Sequence, residues 1–327
     1  MATGETPNGL SSASMVRLAR TIYRRFHAGL LAAVRKLGWN VARTADFYSP
    51  LPVLSEVAES RESWDRPSEL VGVDYDLHAM KALLSALIDV HGGEFDALPP
   101  HGEIRTLGYG PGFPVIDALT TYLMVRDLRP AKYVEIGSGL STYYAWLAAA
   151  ANGRDGRVCE MTCVDPFPTG RLNELEEPVV NAVVSKVEAT DLWLFEALDA
   201  GDVLFIDSTH VLKLGGDVAF LFLEVLPRLR PGVVVHVHDI HFPYNTPYPA
   251  EQYVFRAKWP LYRTEAMVLQ AFLSFNRKFE VVLSAPMIRH FDEPFLERTI
   301  PGYRPVELED YDTHFGSIWL RRRLPAG

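Results

Sequence analysis

Asp207, His210, His238, Asp239 and His241 are the residues of this chain best suited to hold a proton or a cation, and two short runs carry them. These are Leu204-Phe-Ile-Asp207-Ser-Thr-His210 and His236-Val-His238-Asp239-Ile-His241. Each run begins as an apolar strand and ends in polar residues, so the two carboxylates and up to three imidazoles gather at the ends of strands that should be neighbours. Two chemistries fit the set. In one, Asp207, Asp239 and His210 bind a divalent metal that orients and acidifies a hydroxyl. In the other, His210 or His241 is a general base and Asp239 orients the reacting group. Magnesium prefers oxygen ligands and a histidine-rich set suits manganese, iron or zinc, which tilts the reading toward the base. His236 alternates with His238 along the strand and reads as a core residue hydrogen-bonded internally.

A second constellation is Lys132 to Thr142, KYVEIGSGLST, an apolar strand ending in an acid and followed by a glycine-rich turn into a helix. Gly137 and Gly139 let the backbone turn tightly and approach a ligand, and Ser141 or Thr142 can cap the helix. This is how a chain holds a nucleotide-like molecule. A dinucleotide fingerprint needs a third glycine at position 142, where Thr142 stands, so an adenosine ligand other than NAD or FAD is favoured.

Four successive motifs resemble class I S-adenosylmethionine-dependent methyltransferases. Glu135-Ile-Gly-Ser-Gly139 is similar to their first motif and Cys163-Val-Asp165-Pro to their second. Leu204 to His210 is similar to the fourth-strand motif, and Arg230 to His241 to the fifth strand with its preceding turn. The last two resemble a bacterial subgroup with D-S-[ST]-H and H-D patterns, linked to tailoring of small molecules. The resemblance covers roughly residues 105 to 284. It implies S-adenosylmethionine (SAM) as cofactor, with Gly137, Ser138 and Gly139 near its methionine part and Asp165 accepting from the ribose hydroxyls. Glu135 would hold the turn or the cofactor's amino group, Ser141 and Asp207 would border the cofactor, and Phe113 and Asp117 would close a helix over it. Ala189 stands where an acid is expected after the third strand.

The elements that must position these residues alternate. Apolar strands are predicted near Lys132–Ile136, Val158–Val164, Ala182–Val187, Asp202–Ile206 and Val233–Val237, with helices between them, which means a parallel sheet covered on both faces. Phe279–Ser284 and Ser317–Arg321 are separated by a proline-rich excursion without a clear helix, and the resemblance implies that they pair antiparallel. The fold class is α/β, a doubly wound Rossmann-like sheet of seven strands with an N-terminal helical cap. Upstream, residues 1–13 read as disordered and 14–104 as a cap controlling substrate access, leaving 105–327 as the SAM-binding domain. Between Arg17 and Arg43 there are seven Lys or Arg and no acid, while Val16, Leu18, Ile22, Phe26, Leu30, Val34 and Leu37 form an apolar face at helical spacing. That face suits a membrane surface or a partner, and packing on this protein's own core or a second subunit is the commoner use. A helix is expected from Leu77 to Val90, capped by Asp76 and stopped by Gly92-Gly93. Leu98 to Pro114, with four prolines and four glycines, reads as a linker or a loop over a site.

Composition bounds the function. With 327 residues, 48% of them hydrophobic and 22% charged, the chain can bury a large core. A net charge of −9 disfavours an extended nucleic-acid surface and suits a small-molecule acceptor. No apolar run reaches membrane-spanning length and no signal peptide is evident, so a cytoplasmic protein is expected. Cys159 and Cys163 lie about 13 Å apart on one strand, too far to pair. The expectation is a methyltransferase acting on a hydroxyl or amine of a small molecule, a secondary metabolite in the first instance, with a homo-oligomer allowed. A SAM-binding protein without transferase activity and an NAD-type oxidoreductase on a related fold are the alternatives. Tyr48, Tyr75, Tyr109, Tyr244 and Tyr248 are candidate pocket aromatics, with the loop FPYNTPYP chosen for substrate recognition.

Overall fold

The computed structural model describes residues 12–39, 41–42, 47–110 and 112–324. The chain divides into two compact units, residues 1–61 and 62–327. In the first unit, α1 (Ser12–Lys36) is basic at its end and presents Ile22, Phe26 and Leu30 exposed, so this stripe is not core. A short α2 (Leu54–Glu59) follows, and α3 (Arg61–Trp64) straddles the division. The segment expected to be disordered lies outside the described residues except for Ser12 and Ala13, which belong to α1.

The second unit contains one seven-stranded sheet, built from β1 (Lys132–Ile136), β2 (Glu160–Val164), β3 (Val180–Val183), β4 (Val203–Ile206), β5 (Val234–His238), β6 (Phe279–Leu283) and β7 (Ser317–Arg322). The strand order is β3-β2-β1-β4-β5-β7-β6. All pairs are parallel except those of β7, which runs antiparallel to β5 and β6. Uninterrupted apolar runs such as Val203-Leu-Phe-Ile206, buried throughout, are what a doubly covered central strand needs. The order reverses between β1 and β4, and ligands of such sheets bind beyond the carboxyl ends of the strands at that point. Coverage is thin at the β3 edge, where Asn181, Ala182 and Val183 are exposed. The connections on either side of β3 hold no long helix, only single turns and the four-residue α8 (Trp193–Glu196).

The helices that matter for the site are α4 (Leu77–Asp96), the single turn α5 (His101–Ile104), α6 (Val115–Leu128) and α7 (Leu140–Arg154). Later come a mixed helix from α9 (Asp217–Phe220) through a π-turn to α10 (Leu226–Arg228), then α11 (Glu265–Leu273) and α12 (Ala285–Thr299). Asp76 caps α4 by accepting from Ala79 N at 3.0 Å. The helix nevertheless runs through Gly92-Gly93. Two mid-helix glycines cost about 1 kcal/mol each relative to alanine, and burial of Met80, Leu84, Leu87 and His91 in the core offsets that.

Because α4 is core to the sheet, residues 62–104 belong to the same compact unit as the strands, and the division falls at residue 61 rather than at 104. The Pro/Gly-rich stretch is likewise packed rather than a linker. Ile104 is buried, His101 Nδ1 lies 2.7 Å from Tyr144 Oη, and Arg105 reaches both oxygens of Asp312 at 3.0 Å. A helix also occupies the excursion between β6 and β7. Ser284 caps α12, Pro286 sits in its first turn where no amide is needed, and Pro294 is tolerated because the helix kinks at Asp292.

Candidate active site

The glycine turn after β1 is shaped by its neighbours. Gly137 has φ of 93°, and a Cβ there would stand 2.9 Å from the Asp207 carbonyl oxygen, so only glycine fits. Ser138 Oγ donates to Asp165 Oδ2 at 2.6 Å, and Phe167 N donates to Asp165 Oδ1 at 2.7 Å. The half-buried Asp165 is thereby held at the end of β2, facing a cleft of about 670 Å³. Its walls include Gly137, Ser138, Asp165, Glu188, Asp207 and Asp217, and its volume falls in the range of about 300–1,000 Å³ usual for small-molecule sites. The main chain of Tyr109 closes over Gly139, with its carbonyl oxygen 3.0 Å from where a Cβ would be. Tyr109, in the Pro/Gly-rich stretch, thus lies over the turn.

Glu135 and Ser141 lie beneath this turn. Ser141 and Thr142 both donate to Glu135 Oε1, at 2.6 and 3.0 Å, and the carboxyl has no exposed surface. Glu135 thus braces the start of α7 from inside the core. Burial pushes its carboxyl up to about 8, against the hydrogen bonds that lower it. A carboxyl raised in the folded state contributes stability below its unfolded value near 4.5, and that stability is lost as pH climbs to about 8. Glu135→Gln is expected to flatten the pH dependence of unfolding across this window, a difference on the order of a few kcal/mol at its alkaline end. Denaturant unfolding at a series of pH values measures it, and an unchanged slope would locate the ionisation elsewhere.

Beyond the cleft, β4 and β5 deliver the charged cluster. His210 Nε2 is 3.1 Å from Asp207 Oδ1 and 3.2 Å from Asp239 Oδ2, while its Nδ1 lies 2.8 Å from Glu265 Oε2. His238 Nδ1 is 3.5 Å from Asp207 and 3.8 Å from Asp239, and its Nε2 is 3.4 Å from Asp117. Arg263 Nη1 contacts Asp239 Oδ2 at 2.6 Å. His210 and Asp239 are both non-glycine residues with positive φ, 60° and 58°, a conformation that clusters at functional sites. Burial pushes both imidazoles down, yet the surrounding carboxylates hold them well above the ordinary histidine value. Burial likewise raises Asp207 and Asp239, and the cations beside them hold both below the usual carboxylate range.

Residues 134–240 match a family described as a methyltransferase domain. That stretch runs from β1 to just past β5 and holds the glycine turn and most of the charged cluster. A protein of Archaeoglobus fulgidus described as uncharacterized is 26% identical over 163 residues, 47% of this chain and 72% of that one. Among solved structures, an O-methyltransferase from Bacillus cereus in complex with SAH is 11% identical, covering 76% of this chain and 100% of its own, with a TM-score of 0.39. The O-methyltransferase TomG from Streptomyces achromogenes, in complex with SAM, is 15% identical over 82% of this chain and 96% of its own, with a TM-score of 0.37.

Several residues play other parts than their sequence position suggested. Asp117 is fully buried and accepts from Gly316 N at 2.9 Å and Ser317 Oγ at 2.7 Å, so it ties α6 to β7 instead of opening to the cleft. Phe113 is core, packed 5.0 Å from the His238 ring and 6.2 Å from Phe205. His236 has no hydrogen-bond partner, because it stacks on Trp319 at 3.9 Å and is held neutral by burial. His210 has both nitrogens against carboxylates, Nε2 on Asp207 and Asp239 and Nδ1 on Glu265, which favours its charged form over the free base. Among the described residues Asp207, His238 and Asp239 each offer a ligand atom within 4.8 Å of the others, and His210, expected as the third ligand, has its Nε2 still closer to both carboxylates. His241 points elsewhere. Its Nε2 is 3.3 Å from His314 O, and it lines a separate cavity with Tyr244 and Tyr248.

Three participants were not found from sequence. Glu265 and Arg263 arrive from some 25 residues beyond β5, and nothing in their local pattern marks them as partners of His210 and Asp239. Glu188 lines the cleft one residue before the position where Ala189 had left an acid missing, a signal lost by a one-residue offset.

Proposed function

We propose that this chain is a SAM-dependent methyltransferase acting on a hydroxyl or amine of a small molecule, with a secondary metabolite as the acceptor. The observation that carries the reading is continuity. Asp207 lines the cleft behind the glycine turn and also belongs to the charged cluster, so a nucleoside held by Asp165 and Gly137 would direct its far end toward Asp239. The cleft's volume, its glycine cradle and the pre-oriented Asp165 fit the cofactor. SAM supplies a methyl group already activated by its sulfonium, leaving the protein to align the acceptor and exclude water.

Each residue of the cluster then has a task. Asp239 and Asp207 attract and orient the acceptor's polar hydrogen, His210 and Arg263 fix Asp239 in place, and Glu265 fixes His210. Two carboxylates with one imidazole nitrogen also fit a divalent cation such as manganese. Asp207, Asp239 and His238 would hold it, with Asp117 behind His238 in the manner of a carboxylate that orients a metal-binding imidazole. A cation there would acidify a bound hydroxyl.

Calorimetry tests the cofactor assignment. Asp165→Ala is expected to weaken SAM and S-adenosylhomocysteine by about 1.5–3 kcal/mol, the range for a hydrogen bond to a charged group. Binding of NAD, with neither SAM nor its product bound, would overturn the assignment.

A further inference from the structure

The second cavity, about 340 Å³, lies between the loop after β5 and α12, and is lined by His241, Tyr244, Tyr248, Arg289, His290 and Glu293 among others. Arg289 is 9% exposed and makes no ion pair among the described residues. Of its five N–H donors one is met, by Thr313 O at 3.2 Å. Its guanidinium rests 4.2 Å from the Phe315 ring centroid and 5.2 Å from that of Tyr248. These ring contacts return part of the cost of burying a cation, but they supply no counter-charge, and a buried charge without one is a costly arrangement. The acids whose charge reaches it are Glu293 and Asp117. Glu293 is engaged by Tyr303 Oη at 2.7 Å, and Asp117 by Gly316 and Ser317. His241 stands on the same wall with its Nε2 against the His314 carbonyl, so its Nδ1 is a lone pair that offers an anion nothing.

We propose that this cavity anchors the acceptor by a carboxylate, which Arg289 takes in its planar fork. Only the word acceptor rests on the transferase reading; the anion site stands on its own geometry. A carboxylate fits better than a phosphate because Glu293 shares the cavity and opposes a second negative charge, and because the guanidinium fork matches a planar, singly charged group. The stacked Tyr244 and Tyr248 rings, 4.3 Å apart, give a flat wall that suits a planar body behind that carboxylate. His241 is two residues past Asp239, which places the cavity beside the charged cluster along the same loop.

The test titrates benzoate and its neutral isostere benzamide into the full chain by calorimetry, in the wild type, in Arg289→Gln and in Val306→Trp, which adds bulk to the cavity from another of its lining residues. SAM is titrated in parallel. Benzoate is expected to bind at least about tenfold tighter than benzamide to the wild type, Arg289→Gln to erase that preference, and Val306→Trp to lose benzoate, with SAM affinity unchanged in both variants. Equal binding of the two probes, or a preference that survives in a folded Arg289→Gln, overturns the site. If Arg289→Gln shows no cooperative unfolding transition, Val306→Trp decides, and benzoate binding retained there overturns the site as well. Benzoate bound without SAM leaves the anion site standing and removes the transferase reading, whereas SAM bound without benzoate does the reverse.

Discussion

Asp239→Asn is expected to lower methyl transfer about 10²- to 10⁴-fold, the range associated with losing a group that handles the acceptor's proton, while SAM affinity stays near that of the wild type. Asparagine keeps the shape and the tolerance for positive φ at this position, so the change isolates the charge. That charge is the shared partner of His210, His238 and Arg263. Its removal leaves two imidazoles and a guanidinium facing fewer carboxylates, which also weakens any divalent cation at Asp207 and His238. Labelled methyl groups from SAM, followed into product from a cell extract, measure turnover. Manganese titration read by electron spin resonance measures the cation. Full turnover in Asp239→Asn would remove the cluster from the reaction, and turnover indifferent to both chelator and added metal would leave an orienting role without a cation.

Gly137→Ala is expected to abolish calorimetrically detectable SAM binding. Two effects combine. A φ of 93° is strained for any L side chain, at an order of 1–3 kcal/mol, and the new Cβ would stand 2.9 Å from the Asp207 carbonyl oxygen. The backbone of both cleft walls must shift to relieve that contact, which moves Ser138 off Asp165. Thermal unfolding should show a lower midpoint with the cooperative transition retained. Unaltered SAM affinity in the variant would mean that the cofactor does not lie on this turn.

The sheet was legible because its strands are continuous apolar runs. The predicted β1 coincides with the structure and the other strands start or stop within a few residues. Local punctuation was less reliable. Gly92-Gly93 did not stop α4, because the burial of one helix face outweighs two glycine penalties. Prolines did not exclude α12, because one lies in the first turn and the other at a kink. In the candidate site, residues at strand ends could be picked out from their place after apolar runs together with the family resemblance of their motifs. Glu265, Arg263 and Arg289 were not, since each reaches its place through tertiary packing that leaves no periodic trace. The same reason moved Asp117. An acid at a helix start reads as a cap or a ligand, and only the register of β7 against β5 shows that its oxygens are taken.

The contact of Asp117 with Ser317, 200 residues apart in sequence, has a consequence for how the domain is made. Chains emerge from the ribosome in order and domains tend to gain structure as they emerge. Here β5 holds His238 and Asp239 at its end, yet its outer edge remains unpaired until β7 arrives to place Ser317 against His238. The carboxylate behind His238 is fixed by that same arrival. The candidate cleft draws on β1, β2 and β4, all of which precede β5 in the chain, whereas the charged cluster is closed only by residues near Ser317 at the far end.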